Sequence, residues 1–308
     1  MDGFSENIDP SRPTPDGLPE PGSSPPVGPA AWLRDRLRRT RVMTGVFYAL
    51  MVEYRIEILL WAVATALPLI MLGLWSEAAA SGKFVLGPLD TMRYFIAVFV
   101  VRQFTVAWVL YDFEYHVVSG KLTPFLLAPC DPTWRFFLIH IGEQGCRLPF
   151  VAALVGFAML IYPEALRGTE ARPGVWAPGW GRFALAVLAV FLAFAMRFFM
   201  QYALAMLAFW VERVSALEPV SFVPYVFLSG MVFPVTQLQA QYGDWAYELV
   251  LLTPFPWMAW FPASLLVPGV EVPIVRGFAT QLVWIGVFLV LQRFLWHRGL
   301  RKYSAMGA

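Results

Sequence analysis

The sequence predicts an all-α membrane protein, and three observations predict it. Six long apolar stretches fill the chain between residues 56 and 296. Charged residues make up only 14% of it, against about 25% in an ordinary soluble domain. Sustained polar sequence is confined to residues 1–30. At 308 residues, a single bilayer-embedded domain (31–308) behind a short tail is the simplest organisation.

The tail, residues 1–30, is rich in Pro, Gly and Ser. It carries Asp2, Glu6, Asp9, Asp16 and Glu20 against Arg12 alone. It lacks the basic start and early apolar run of a secretory signal. It cannot bury enough apolar surface to offset the entropy of ordering, so a disordered cytoplasmic tail is expected. Residues 32–54 read as a separate helix. Trp32, Leu33 and Leu37 share one face, and Arg34, Arg36, Arg38, Arg39 and Arg41 cover the other. Such a helix lies in the membrane interface on anionic headgroups, or acts as a plain basic anchor.

A helix crossing a ~30 Å hydrocarbon core needs about 20 mostly apolar residues. Six transmembrane helices are expected at roughly 56–75, 91–111, 145–162, 183–211, 219–235 and 273–296. Pro219, Pro224 and Pro234 interrupt the fifth, which a bundle tolerates when neighbours satisfy the freed carbonyls. Orientation follows Lys and Arg near the span ends. One set of loops holds Arg55, Lys121, Arg135, Arg213, Arg298, Arg301 and Lys302 besides the arginines before the first span. The opposite loops hold Lys83, Arg167 and Arg172, and the longest, 236–272, has none. Both termini are therefore expected in the cytoplasm.

Two loops stand out. The inner loop, 112–140, opens with Asp112 and Glu114, breaks at Gly120-Lys121-Leu122, and restarts at Thr123-Pro124, with Pro at a first helical position. Phe125, Leu126 and Leu127 make that short helix too apolar to stay bare in cytosol. Pro129 and Pro132 end it. It is either packed under the bundle or inserted into a partner. The outer segment, 236–272, carries Trp245, Tyr247, Trp257 and Trp260 among four prolines. It reads as a short re-entrant or interfacial helical hairpin, or as an aromatic anchor at headgroup level.

Arg102 and Arg197 fall near the middle of the second and fourth spans. A charge at that depth faces the bundle interior, a water-filled path or a partner. Gln103, Gln201 and Gln281 are available to hydrogen-bond them. The alternative is a purely structural polar contact. Several activities find no support. There is no phosphate-cradling G-x-x-x-x-G-K-[ST], no H-E-x-x-H and no G-x-S-x-G. His116, His140 and His297 are scattered, which argues against a metal centre. Cys130 and Cys146 give neither a disulfide framework nor a metal signature. No catalytic residue, bound cofactor or nucleic-acid partner is expected.

Four places in the sequence carry a resemblance to a known family. A basic elbow leads into Glu53-Tyr54-Arg55-Ile56-Glu57. Gly120-Lys121-Leu122-Thr123-Pro124-Phe125-Leu126-Leu127-Ala128-Pro129 is similar to that family's G-x-L-x-x-x-L-L-x-P segment. Ser229-Gly230-Met231-Val232-Phe233-Pro234 precedes the hairpin at Thr253-Pro254-Phe255-Pro256. The ending Gly299-Leu300-Arg301-Lys302-Tyr303-Ser304 is the fourth. Together these places resemble the permeases of type-2 ATP-binding-cassette exporters paired with a separate ATPase.

The resemblance implies that the inner loop is a coupling helix seated on a cytoplasmic ATPase, through Glu114, Gly120, Lys121, Leu122, Phe125, Leu126, Leu127 and Pro129. It implies a second permease chain, as homo- or heterodimer, and ATP and Mg held by the ATPase rather than here. It places the second and fifth spans along the substrate path, with Arg102, Gln103, Arg197, Gln201 and Phe227 as candidates. The location implied is the cell membrane, among lipid. The aromatic, charge-poor interior suits an amphipathic or lipid-like substrate. An intramembrane enzyme such as an acyltransferase, or a scaffold that does not transport, are the competing readings.

Overall fold

A computed structural model describes residues 29–128, 130–169, 172–268 and 270–305. The expected disordered tail up to residue 28, and Pro129, lie outside them. The chain divides into two units, Met1–Val42 and Met43–Ala308. Helix α1 spans Pro29–Glu53, close to the predicted basic helix. In its first part Asp35 pairs with Arg39 at 2.6 Å and Arg38 at 3.7 Å, the i,i+4 and i,i+3 spacings that face each other on a helix.

Among its described residues the second unit has helices and one two-residue antiparallel ladder, Gly168–Thr169 with Arg172–Pro173. Among the described residues, five helical segments are long and apolar enough to cross a membrane: Arg55–Ala80, Pro88–Val118, Pro132–Ile161, Trp180–Phe209 and Ile274–Tyr303. They correspond to five of the six expected spans. The remaining one, predicted at 219–235, is the shorter apolar segment Val214–Leu228.

The first long segment is two helices, α2 (Arg55–Ala64) and α3 (Leu67–Ala80). Pro68 has no N–H to give and the helix breaks before it. Ala66 N–H turns to Val63, and the freed Ala62 carbonyl accepts from Thr65 Oγ1 and from Gln103 Nε2 of the next segment. That segment also breaks, into α4 (Pro88–Phe104) and α5 (Val109–Val118). No Pro or Gly marks the break. His140 closes it, accepting from Trp108 N–H at 3.0 Å through Nε2 while Nδ1 donates to Phe136 O at 2.8 Å.

The inner loop is far shorter than predicted. After α6 (Thr123–Leu127), α7 runs Pro132–Ile161, starting well before residue 145. Asp131 caps it by accepting from Thr133 N–H, and Pro132 takes the first turn. Glu143 and Arg147 pair one turn apart inside the helix. A five-residue α8 (Pro163–Arg167) follows, then α9 (Trp180–Ala205). Next come α10 (Glu218–Leu228), α11 (Val235–Tyr242), α12 (Asp244–Leu251), α13 (Trp260–Leu265) and α14 (Ile274–Ala305).

Burial ranks these elements. In its most apolar window Pro88–Val118 is 78% buried and Trp180–Phe209 is 50%, against 22%, 22% and 17% for the other three. So α4–α5 and α9 form the centre. Two apolar clusters build the core, and α9 runs through both. One gathers Tyr94, Phe95, Trp257, Trp260 and Phe261, the other Phe113, Phe136, Phe198, Tyr202, Phe209 and Trp296. Trp257 and Trp260 are therefore core residues, which overturns the aromatic-anchor reading for them. The chain turns at Gly230 (φ +90°), whose carbonyl accepts from Tyr94 OH, and Trp260 N–H donates to Ser229 O. Rings press on bare backbone at Gly299, where an added Cβ would lie 2.0 Å from Phe209 Cδ2.

Candidate functional site

Helix α10 carries its polar residues on one face. Glu218, Ser221 and Tyr225 recur at i, i+3 and i+7, the spacing of a single helical stripe. Ser221 and Tyr225 are buried, while Val220, Val223 and Phe227 on the other side are exposed. This helix thus turns its polar stripe inward and its apolar face outward, the reverse of a helix in a water-soluble bundle.

Two arginines meet that stripe. Arg102, in the last turn of α4, has its Cζ 5.3 Å from the Tyr225 ring centroid. Arg197, in the middle of α9, has its Cζ at 3.8 Å. Both distances lie within cation–π range. Arg102 is 5% exposed and Arg197 3%. Arg102 Nη1, Arg197 Nε and Nη1, and Tyr225 OH have no hydrogen-bond partner. Gln201 follows Arg197 by one turn on the same face of α9, and its Oε1 is unpartnered too.

Of the sequence-predicted path residues, then, Arg102 and Arg197 converge on Tyr225, with Gln201 beside Arg197. Gln103 instead spends its amide N–H groups on the α2–α3 break, at Ala62 O and Thr65 Oγ1. Gln281 ties α14 to Ala189 O and Trp257 O. Neither is the arginine partner the sequence suggested. Phe227 lies on the exposed face. Tyr225, Ser221 and Glu218 were missed, although their 3.6-residue spacing inside an apolar helix was a readable signal.

The predicted docking residues fall into two groups. One group fastens the α5–α6 corner to the protein. Glu114 accepts from Ser215 Oγ at 2.9 Å and from Ser215 N–H, tying α5 to the turn before α10. Leu122 is fully buried. Phe125 stacks on Phe136 at 5.6 Å and lies under Arg135 at 4.4 Å. The other group faces out. Lys121 reaches back to Tyr115, Gly120 takes φ +69° to turn the chain, and Leu126 and Leu127 are exposed, Leu127 by 82%. Below the corner, Asp131 binds Arg293 at 2.7 Å. Burial raises the Asp131 pKa, but the hydrogen bonds from Arg293 and Thr133 outweigh that and hold its carboxyl below the usual range.

A family model described as ABC-2 family transporter protein matches residues 51–307, which includes every residue of both groups. Neither a curated protein nor a solved structure matches the chain.

Proposed function

The chain belongs to the ABC-2 transporter family, which makes it a multi-pass membrane transport permease, and on that premise we propose that it is the permease subunit of an ATP-driven exporter. A separate ATPase supplies the energy, binding ATP and Mg itself. Helix α6 is the coupling helix on which that ATPase seats. The short segment Val214–Leu228 completes six spans, α1 is the interfacial elbow, and the segment from α11 to α13 is the re-entrant hairpin. Both termini lie in the cytoplasm, two permease chains form the path, and the substrate is amphipathic.

The observation that carries the docking reading is the contrast between α6 with its preceding Leu122 and the end of the same helix. Leu122 and Phe125 are anchored in a rigid aromatic corner, while Leu126 and Leu127, next to them, are left bare. Burying a leucine side chain is worth about 1.5–3 kcal/mol, so a rigidly presented pair is a strong hold for a partner groove. The anchoring also explains how force is passed on. Movement of α6 is handed to α5 and, through Glu114 and Ser215, to the start of α10, where the arginine stripe begins.

The test is a mild-detergent pull-down of the full chain from its native membrane. A P-loop ATPase should co-purify, and Leu126→Asp with Leu127→Asp should abolish its recovery while membrane insertion stays intact. Retained recovery with the double substitution would place the docking surface elsewhere.

A further inference from the structure

Arg197 Nε and Nη1 and Arg102 Nη1 are buried donors with nothing to donate to. A guanidinium does not shed its proton in a protein, so these positions stay charged. Such a charge in a membrane interior is costly and faces a functional path or a partner. Part of the cost is met. The face of the Tyr225 ring carries negative potential, and Arg102 lies at the end of α4, where the last carbonyls favour a cation. Arg197 has no helix end near it. One ring is also shared by two like charges, which repel.

Glu218 acts electrostatically on both arginines. Among the described residues, however, neither arginine forms an ion pair. Other donors point the same way. Tyr225 OH is buried and unpartnered, as is Ser229 Oγ one turn further along. Two planar forks and a phenol match an oxyanion better than any neutral group, because a guanidinium binds phosphate or carboxylate through two parallel N–H bonds.

We infer that Arg102, Arg197 and Tyr225 form a binding site for one oxyanion group, a phosphate or a carboxylate, on the transported molecule. Its identity as a substrate site rests on the permease reading. Its existence as a binding site does not. The anion sits between two cations that otherwise repel, and it takes up hydrogen bonds the protein leaves unmade.

The experiment uses the full chain purified in a maltoside detergent and radiolabelled dodecyl phosphate, read by scintillation proximity. Unlabelled dodecyl phosphate, inorganic phosphate and uncharged dodecyl glycerol are the competitors. Saturable binding is expected, displaced by dodecyl phosphate and not by dodecyl glycerol. Arg197→Gln and Arg102→Gln should each weaken it about tenfold or more, the loss of a charge-assisted hydrogen bond. Arg197→Lys should keep part of it, since the charge remains and the fork is lost. Displacement by inorganic phosphate at matching affinity supports the site and assigns it to a free anion. Failure of inorganic phosphate to compete supports it and assigns it to a head group.

Without ligand, both Gln variants should melt at or above the wild-type temperature, because they remove an unpaired buried charge. A marked fall in that temperature would make the arginines structural and overturn the site. Absence of saturable binding, equal displacement by dodecyl glycerol, or unchanged affinity in both Gln variants would overturn it as well. Recovery of the ATPase from the same membranes keeps the two readings apart. A chain that brings down its ATPase yet binds no oxyanion loses the site and keeps the permease. A chain that binds the oxyanion without any ATPase does the reverse.

Discussion

Arg147 on α7 and Arg197 on α9 are both buried, at 1% and 3% exposure. Arg147 has Glu143 one turn away, accepting from its Nε at 3.1 Å and from its Nη2. Arg197 has an aromatic ring and two unmade hydrogen bonds. Arg147 Nη1 is unpartnered too, so among the described residues what separates the two is the counter-charge one turn along its own helix, which Arg147 has and Arg197 lacks. An arginine left half-satisfied in the same bundle is kept at a cost in stability, and costs of that kind are retained for function.

The largest test of it is Glu143→Gln. Removing one partner of a buried pair strands the other, so Tm in detergent should fall by the equivalent of about 3–5 kcal/mol. The matched Arg197→Met change should leave Tm level or raise it. Equal losses in the two variants would erase the distinction. Next is His140→Ala, which takes away the acceptor of Trp108 N–H at the α4–α5 break. This donor is part-buried, so the loss should be about 1 kcal/mol, the low end for an unsatisfied donor, read by thermal unfolding or by faster hydrogen exchange at residues 105–109. A neutral effect would mean the break does not need its cap.

The smallest effect belongs to Asp131 and Arg293, both partly exposed. Asp131→Asn should cost no more than about 1 kcal/mol at pH 7. The Asp131 carboxyl is held below its ordinary pKa. Its contribution is therefore full above the ordinary value of about 4 and is lost as pH falls below it. The Tm gap between wild type and Asp131→Asn should narrow as the pH falls below the ordinary carboxylate range and close once Asp131 is protonated in the folded protein. A gap that widens in acid would mean the sign of the coupling is wrong.

Much of the scaffold was legible because length and apolarity are what a bilayer selects. The stretches at 56–75, 183–211 and 273–296 needed only that. The second was legible as a span but not as two helices, since Thr105 to Trp108 contain no helix breaker and the break depends on a histidine distant in sequence. The start of α7 was misplaced because the helix begins at Pro132, in a stretch read as part of the inner loop, and carries the Glu143–Arg147 pair inside it. Trp257 and Trp260 looked like interface residues because amphipathic rings sit both at headgroups and in cores. At the site, Arg102 and Arg197 stood out by charge alone. Tyr225 did not, since nothing distinguishes one aromatic among many until the helix stripe is drawn.

The central claim is that an ATP-driven permease carries an oxyanion past its two unpaired arginines. The direct measurement is uptake of labelled dodecyl phosphate by inside-out vesicles holding the chain with its co-purifying ATPase, for wild type, Arg197→Gln and the charge-conserving Arg147→Lys. Uptake should require ATP hydrolysis and fall about tenfold or more in Arg197→Gln, while Arg147→Lys keeps most of it. Uptake indifferent to ATP, or equal losses in the two variants, would contradict the account.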